Sequence, residues 1–300
     1  MNEFNELLKK ICNDLGYEIT FISDGWLKVL KKDNKIRYIS GYRFDNNSYA
    51  LGEVMNDKGM FHDALSFMNI PIVEQEIIFH DYDKKAIIDY FNNHNKKIII
   101  KGNTGNAGKE VFKVEKEDEI FPIIDKLFLK EYSISLSPYY IIENEYRVIV
   151  LNNEVKLLFG KVKPIIVGDG FKTVLELAKE YNNYYLDNEQ AIDNPNYVPK
   201  KDEKVELSFK FNLSSGGKTI LDIPYDIKDK LISLALLVSK KLNISFASID
   251  IIVTESKEIL VLEANTGVTL NTFLKLNPSY YNVVYNIYKD AIKLMFNDEV

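Results

Sequence analysis

Residues 247–253 (ASIDIIV) and 258–265 (EILVLEAN) form the most informative stretch of the chain. Both runs are rich in aliphatic and β-branched residues, and the polar residues between them predict a hairpin of two short strands. Because alternate residues of a strand point to one face, Glu263 and Asn265 should project side by side, with Asp250 facing them from the preceding strand. Two carboxylates and an amide oxygen are ligands that suit Mg²⁺, whereas a solvated hairpin end is the structural alternative.

The length and composition predict a globular chain with more than one lobe. Three hundred residues exceed the size of most single cores, and 46% hydrophobic with 27% charged residues is typical of a folded chain. The formal charge of −6 argues against a surface that binds duplex nucleic acid. Cys12 is the only cysteine, which excludes an intrachain disulfide and a thiolate metal site.

The apolar runs of the chain are too short to cross a bilayer, and its polar, acidic N-terminus does not resemble a signal peptide. We therefore expect a cytoplasmic protein with neither a membrane nor a nucleic-acid partner.

The periodic segments predict an α/β chain. Apolar residues at helical spacing, followed by Gly16 as a stop signal, predict a helix over residues 4–15. Further helices are predicted at residues 58–68, 84–92, 117–128, 173–181, 227–242 and 280–296. Besides the hairpin, strands are predicted at residues 18–22, 26–31, 36–40, 72–79, 97–101, 110–114, 133–136, 146–151, 155–162 and 205–212. Residues 181–201 are polar, contain two prolines and are expected to form a mobile surface loop.

Residues 96–114 (KKIIIKGNTGNAGKEVFKV) place a glycine-rich loop between two predicted strands. Glycines at Gly102, Gly105 and Gly108 let backbone N–H groups gather around an anion. A Walker A loop is excluded because the spacing is one residue too long and Lys109 is not followed by Ser or Thr. A Rossmann fingerprint is excluded because the glycine spacing differs and a strand follows. A flap over a nucleotide remains as the functional interpretation, and an ordinary hairpin as the structural one.

The flap has three glycines and no large apolar side chain to hold it. We therefore expect residues 102–109 to be mobile without ligand and to close over a bound triphosphate.

The order of these motifs resembles the ATP-grasp superfamily over about residues 55–278. Within it, the chain looks most like the glutathione-synthetase-like ligases and the ATP-dependent part of cyanophycin synthetase. Residues 56–75 (NDKGMFHDALSFMNIPIVEQ) are similar to a helix of that family whose lysine, here Lys58, reaches the nucleotide phosphates. Lys101 falls at the second nucleotide lysine of the family, just before the flap.

Residues 133–150 (SISLSPYYIIENEYRVIV) resemble the hinge between the lobes of that family, where backbone groups, here around Tyr139, hold the adenine. The resemblance places Glu145 at the ribose hydroxyls, with Arg147 two residues on and on the same strand face. Ser137 stands where many members carry an acidic residue that contacts the adenine amino group, which is a departure from the family pattern.

Residues 161–182 (KVKPIIVGDGFKTVLELAKEYN) are similar to a passage of the glutathione and cyanophycin ligases, with Lys161 in place of their arginine. The resemblance implies that Lys161 faces the phosphates of the bound nucleotide. The VGDG within residues 161–182 is also a β-turn that leads into a helix. Residues 208–217 (SFKFNLSSGG) resemble a polar loop beside the transferred phosphate. The arginine expected upstream is absent, so Lys210 and Asn212 become the candidates for holding the acyl phosphate.

The resemblance implies an ATP-dependent carboxylate–amine ligase, which forms an amide or peptide bond through an acyl phosphate and releases ADP and phosphate. Asp250, Glu263 and Asn265 would bind Mg²⁺, or Mn²⁺ as an alternative. Arg147 would neutralise the substrate carboxylate together with Lys210. The implied partners are a carboxylate substrate, either an amino acid or a peptide, and an amine; a homodimer is compatible with these features. The alternative is a nucleotide-binding ATP-grasp protein with an association or regulatory role.

The implied fold is the ATP-grasp fold, in which two α+β lobes clamp ATP and a small N-terminal domain is added. The expected domains are residues 1–56 for the N-terminal domain, residues 57–132 for the central lobe with the flap, and residues 133–300 for the C-terminal lobe with the metal site.

Overall fold

The computed structural model describes residues 3–104 and 110–298, except for the side chain of Gln190. The predicted flap glycines Gly105 and Gly108, and with them the predicted mobility of the flap, lie outside the described residues.

The N-terminal part of the chain is a helix packed on an antiparallel sheet. Phe4, Leu8 and Ile11 recur at helical spacing and are buried, as the sequence predicts. The elements are α1 Glu3–Leu15, β1 Glu18–Ile22, β2 Leu27–Lys32, β3 Lys35–Ser40, β4 Arg43–Phe44, α2 Tyr49–Asn56 and α3 Lys58–Phe67. The strands pair in the order β1–β2–β3–β4. The Ser48 side chain accepts a hydrogen bond from Leu51 N at the start of α2, a helix that the sequence analysis missed.

The central part is a sheet covered on one face by two helices. Its elements are β5 Glu76–Ile78, α4 Lys84–Asn93, β6 Ile98–Gly102, β7 Val111–Val114, α5 Glu117–Phe128 and β8 Ile134–Pro138. The strand order is β5–β8–β6–β7, with antiparallel neighbours. On β6, Ile98 and Ile100 are buried in a core shared with the helices, so the residues between them face the other way. Because β8 pairs with β5 and β6, we propose a lobe boundary after Pro138.

The C-terminal part is built on a larger sheet with the order β13–β10–β9–β14–β15. Its elements are β9 Ile142–Leu151, β10 Glu154–Val162, β11 Ile165–Val167, α6 Val174–Tyr181, β12 Lys204–Glu206, β13 Lys218–Ile220, α7 Tyr225–Leu242, β14 Phe246–Thr254, β15 Ile259–Asn265, α8 Asn271–Leu276 and α9 Tyr281–Met295. The predicted hairpin is confirmed as the antiparallel pair β14–β15. None of the helices in residues 3–104 and 110–298 is long and apolar enough to span a bilayer.

The N-terminal sheet and the C-terminal lobe share one hydrophobic core. Phe4 and Ile39 from the N-terminal part are buried in the same cluster as Phe159 of β10 and Tyr288 of α9. The central lobe has a separate cluster between its sheet and α4 and α5. The protein is therefore packed as a large body of N- and C-terminal elements and a smaller central lobe.

Two predicted strands are shorter in the structure, and one predicted loop contains regular turns. The strand predicted at residues 72–79 is reduced to β5, and the strand predicted at residues 205–212 is reduced to β12. Residues 181–201, predicted to be a polar loop, include two 3₁₀ turns. Tyr185 in the first turn and Ile192 directly after the second are buried in a cluster with residues of α6. The sequence analysis missed this small core because its apolar residues recur with neither helical nor strand spacing.

Candidate active site

A cleft of about 220 Å³, here called the nucleotide cleft, lies between the central sheet and the C-terminal sheet. Alternation along the strands brings the polar side chains into it. On β9, Tyr146 and Val148 are buried against α7, whereas Glu145 and Arg147 face the cleft. On the opposite side, Lys101 of β6 faces it from the central sheet. The two sheets therefore bring together, in the nucleotide cleft, charged residues that lie far apart in the sequence.

Apolar side chains cover the inner part of the nucleotide cleft. Ile99 and Val111 contribute from the central sheet, and Ile142 and Ile252 from the C-terminal sheet. Apolar surfaces on two sides suit a flat heterocycle. The sequence analysis did not name these residues, although the strand alternation that places Lys101 in the cleft also places Ile99 there.

Ser137 and Tyr139, which the sequence analysis predicts to lie at a hinge, line the same cleft. Ser137 is buried on β8, and the ring of Tyr139 lies 6.2 Å from the ring of Phe209 across the opening. The amide N–H of Tyr139 donates to the carbonyl of Lys97 at 3.0 Å. That donor is therefore used within the central lobe, and Tyr139 contributes its ring to the cleft.

Two lysines approach the cleft beside the start of the flap. The Lys58 ammonium donates to the carbonyls of Gly102 and Asn103 at 3.1 and 3.0 Å. Lys101 is only 8% exposed, and burial together with the nearby Lys58 charge lowers the pKa of Lys101 to about 8, against the attraction of Glu263. Burial also lowers the pKa of Lys58. Two desolvated cations side by side favour binding of an anion between or beside them.

Asn103 is a buried residue that the sequence analysis missed. Its Nδ2 donates to Asp57 Oδ2 at 2.6 Å and to Ser133 Oγ at 3.0 Å, and its Oδ1 accepts from Gly59 N at 3.1 Å. These bonds fix the start of α3 against the end of β6, and so position Lys58. An asparagine within a glycine-rich loop gives little sequence signal, because the same pattern is common in turns.

Four charged residues form a buried network in the middle of the C-terminal sheet. Arg147 binds Asp250 through two bonds, from Nε to Oδ1 at 2.8 Å and from Nη2 to Oδ2 at 2.6 Å. The Lys161 ammonium donates to Asp250 Oδ2 at 2.8 Å and to Glu145 Oε1 at 2.6 Å. The register of the sheet explains the cluster, because Arg147 lies opposite Asp250 and Lys161 lies opposite Glu145.

The pKa values of the two carboxyls in the network shift in opposite directions. Burial alone would raise the pKa of Asp250, but the charges of Arg147 and Lys161 hold that pKa well below its usual range. For Glu145, burial is the larger effect and the neighbouring Asp250 adds to it, so the pKa is raised despite the Lys161 ammonium. Asp250 is thus the firmly ionised member of the pair.

A β-bulge sets the direction of Glu263. Asp250 lies opposite Glu263, but the next pair is Ile251 with Val261, so Leu262 is an extra residue on β15. As a result, Leu262 and Glu263 both line the nucleotide cleft. Sequence periodicity could not show this extra residue.

The predicted metal ligands lie on one face of β14 and β15. Asp250 is opposite Glu263, and Asn265 is opposite Ser248. The Asn265 Nδ2 donates to Glu263 Oε1 at 3.1 Å. No cluster of three or more His, Cys, Asp or Glu side chains with metal-site geometry occurs among the residues that the structure describes. Glu263 and Asn265 supply oxygen donors that fit Mg²⁺, whereas both oxygens of Asp250 already accept bonds from cations, which the sequence did not reveal.

The polar loop at residues 208–217 closes the cleft from the C-terminal side. Lys210 and Asn212 line the nucleotide cleft, and their predicted contact with an acyl phosphate stays a prediction. Burial lowers the pKa of Lys210, although Asp193 opposes this shift. The Asn212 Oδ1 accepts from the amide of Ser214 at 3.2 Å and caps a short 3₁₀ turn, Leu213–Ser215. Asn212 thus shapes the loop as well as lining the cleft.

Known proteins are similar to this chain in sequence and in structure. No protein-family model matches the chain. It is 23% identical over 259 residues to the glutathione biosynthesis bifunctional protein GshAB of Pasteurella multocida, a match that covers 76% of this chain and 33% of that protein. It is 26% identical over 224 residues to the cyanophycin synthetase of Trichormus variabilis, which covers 68% of this chain and 24% of that protein. The chain spans about a third of the length of the first curated relatives that it matches.

The structure is similar to the D-alanyl-alanine synthetase A of Vibrio cholerae, with a TM-score of 0.64 and 12% sequence identity. This match covers 98% of this chain and 93% of the other, so the fold agrees across the N-terminal, central and C-terminal parts. The predicted fold is confirmed. The chain therefore has the ATP-grasp fold, and its sequence is similar to those of the glutathione biosynthesis and cyanophycin proteins.

Proposed function

We propose that this chain is an ATP-dependent carboxylate–amine ligase, which forms an amide or peptide bond and releases ADP and phosphate. The observation that carries the proposal is the meeting of Lys58, Lys101, Arg147 and Glu263 in one cleft between two sheets. The related glutathione and cyanophycin proteins support the same class of reaction.

In the proposed reaction, an oxygen of the substrate carboxylate attacks the γ-phosphorus of ATP, and ADP leaves. The amine nitrogen then attacks the acyl carbon of the acyl phosphate, phosphate departs with the bonding electrons, and the nitrogen loses a proton. Such steps require charge neutralisation and positioning rather than a protein nucleophile. Lys58 and Lys101 would neutralise the transferred phosphate, while Arg147 and Lys210 would face the carboxylate and its tetrahedral intermediate.

Within the same proposal, the adenine would lie between the apolar side chains of the cleft, beside Tyr139 and Ser137. Glu145 would face the ribose, and Lys161 would hold it in place through their 2.6 Å contact. Glu263 and Asn265, with Asp250 alongside, would hold Mg²⁺, which when bound neutralises phosphate charge. Gly102, Gly105 and Gly108 would cover the phosphates.

The proposal is tested by supplying Mg²⁺-ATP with a panel of amino acids and dipeptides and measuring ADP and phosphate. We expect release that requires both a carboxylate and an amine. ATP binding without such release would instead favour the alternative of an association or regulatory protein.

Replacing Lys101 with alanine should weaken ATP binding by about 10- to 150-fold, because a buried hydrogen bond to a charged group contributes about 1.5–3 kcal/mol. The control is Lys116→Ala at the start of α5, since Lys116 is exposed, is paired with Glu119 at 4.0 Å and does not line the nucleotide cleft. Calorimetric ATP titrations of the two variants provide the comparison. Equal ATP affinities would contradict the assignment of Lys101. Lys109, which we also expect to matter less than Lys101, lies outside the described residues.

ATP affinity should fall as the pH rises above about 8, the pKa of the buried Lys101. Below that pH the lysine is protonated and can neutralise phosphate; above it, binding requires uptake of a proton, so the affinity should decrease by up to about tenfold per pH unit. Lys101→Arg should flatten this dependence, because a guanidinium stays charged in this range. Titrations between pH 7 and 9.5 measure both slopes, and identical slopes would contradict the role of Lys101.

A further inference from the structure

A second cavity of about 810 Å³, here called the outer cavity, adjoins the nucleotide cleft. Arg147, Lys161, Asn212 and Glu263 line both spaces. A molecule in the outer cavity can therefore present a reacting atom where the proposed acyl phosphate forms. The volume lies in the upper part of the range for ligand pockets, and suits a short peptide better than one small amino acid.

The N-terminal sheet forms the outer wall of this cavity. Trp26, Tyr42 and Arg43 line it from the strand ends of that sheet, facing Thr266 and Gly267 after β15. The backbone of Arg43 forms an antiparallel bridge with Gly267, which fixes this wall to the end of the β14–β15 hairpin.

Among the residues that the structure describes, Arg43 is the cation lining the outer cavity that forms no ion pair with a carboxylate. Arg147 and Lys161 also line the cavity, but both are paired with Asp250. In residues 3–104 and 110–298, Arg43 forms a side-chain hydrogen bond from Nη2 to Asn56 Oδ1 at 3.0 Å, and no ion pair. Its guanidinium has further N–H donors in a fork that matches a carboxylate.

Trp26 is an exposed aromatic side chain that the fold holds in a fixed place. Trp26 is 63% exposed, but one edge of its ring packs against Gly41. The contact is so close that a Cβ atom at position 41 would lie 2.7 Å from the ring. The buried Lys28 ammonium donates to the carbonyls of Gly41 at 2.7 Å and Trp26 at 3.2 Å, and so ties the two turns together. A rigid, exposed indole at the rim of a cavity provides a surface for a ligand side chain.

We propose that the outer cavity binds the amine substrate, and that this substrate is a short peptide whose free terminal carboxylate is bound by Arg43. Its amine would point inward toward Glu263 and the shared residues, and one of its side chains would lie on Trp26. This inference rests on the proposed ligase function for the direction of the amine, whereas the carboxylate contact itself does not require catalysis.

Trp26 is the only tryptophan of the chain, so its fluorescence reports on the outer cavity alone. The probes are trialanine, Ala-Phe-Ala and their C-terminal amides, added to the full-length chain with ADP and Mg²⁺. We expect the free acids to change the fluorescence saturably and the amides to bind about tenfold more weakly or worse, since they lack the charge that pairs with Arg43.

The Arg43→Gln substitution should lower the affinity for the free-acid peptides to the affinity for the peptide amides. Lys35→Gln, a substitution of an exposed cation on the same sheet, should keep the preference for acids. Equal binding of acids and amides by the unsubstituted chain, a preference that survives in Arg43→Gln, or no response to any of these peptides would each overturn the proposal. ATP affinity and ADP release are measured in separate experiments. If neither is detected, the ligase proposal is contradicted, whereas the conclusion on peptide binding is unaffected.

Discussion

Asp250→Ala should lower the free energy of unfolding by about 3–5 kcal/mol, the usual cost of removing one partner from a buried charge network. Asp250 is 2% exposed, and it is the carboxylate that faces both Arg147 and Lys161. Without it, two cations would remain in the sheet with only Glu145 as a partner. Urea denaturation measures the change.

The control for this experiment is Asp14→Asn, which removes an exposed carboxylate paired with Lys10 at 2.6 Å and should change stability far less. The pH dependence gives a second check. Because the pKa of Asp250 is lowered on folding, its contribution is present above about pH 4, the unfolded value, and is lost as the pH falls further. Asp250→Ala should lose less stability than the unsubstituted chain between pH 4 and pH 2, and equal losses would contradict the buried network.

Glu263→Gln should reduce turnover by about two orders of magnitude or more, which is the scale on which removal of one electrostatic group from a preorganised site acts. The substitution keeps the shape of the side chain but removes the charge that faces Lys58 and Lys101. ADP release in the presence of Mg²⁺ measures the effect. Glu255→Gln, in the exposed turn of the same hairpin, is the matched control.

Binding provides a readout for Glu263 that does not depend on the substrates. Mg²⁺ should strengthen ATP binding to the unsubstituted chain and should do so much less in Glu263→Gln. Unchanged ADP release, or an unchanged effect of Mg²⁺ on ATP affinity, would contradict the role of Glu263 at the metal.

Much of the fold could be predicted because its strands alternate and its helices are periodic. The β14–β15 hairpin, α1 and α5 are confirmed at or near their predicted limits. The residues that face the nucleotide cleft could also be predicted, since Lys101, Glu145 and Arg147 stand at fixed places in recognisable motifs. Their roles in binding and catalysis stay predictions.

What the sequence could not reveal depends on contacts between distant segments. The pairing of Asp250 with Arg147 and Lys161 requires the register of three strands, which no local pattern specifies. The bulge at Leu262 breaks the alternation that strand prediction assumes. Arg43 was missed because no motif in the first fifty residues singled it out, and its position in a cavity follows from the packing of the N-terminal sheet on the C-terminal lobe.

Because the N-terminal sheet and the C-terminal lobe share a core, a movement of the central lobe affects the two cavities differently. The nucleotide cleft has one wall on the central lobe, so a hinge movement of that lobe changes its width. The outer cavity has its walls on the N-terminal sheet, α2 and the C-terminal lobe, which form one packed body. The contacts of a molecule with Trp26 and Arg43 would therefore be the same whether the central lobe is open or closed, and a bound nucleotide would act on that molecule at its amine end, through the residues that both cavities share.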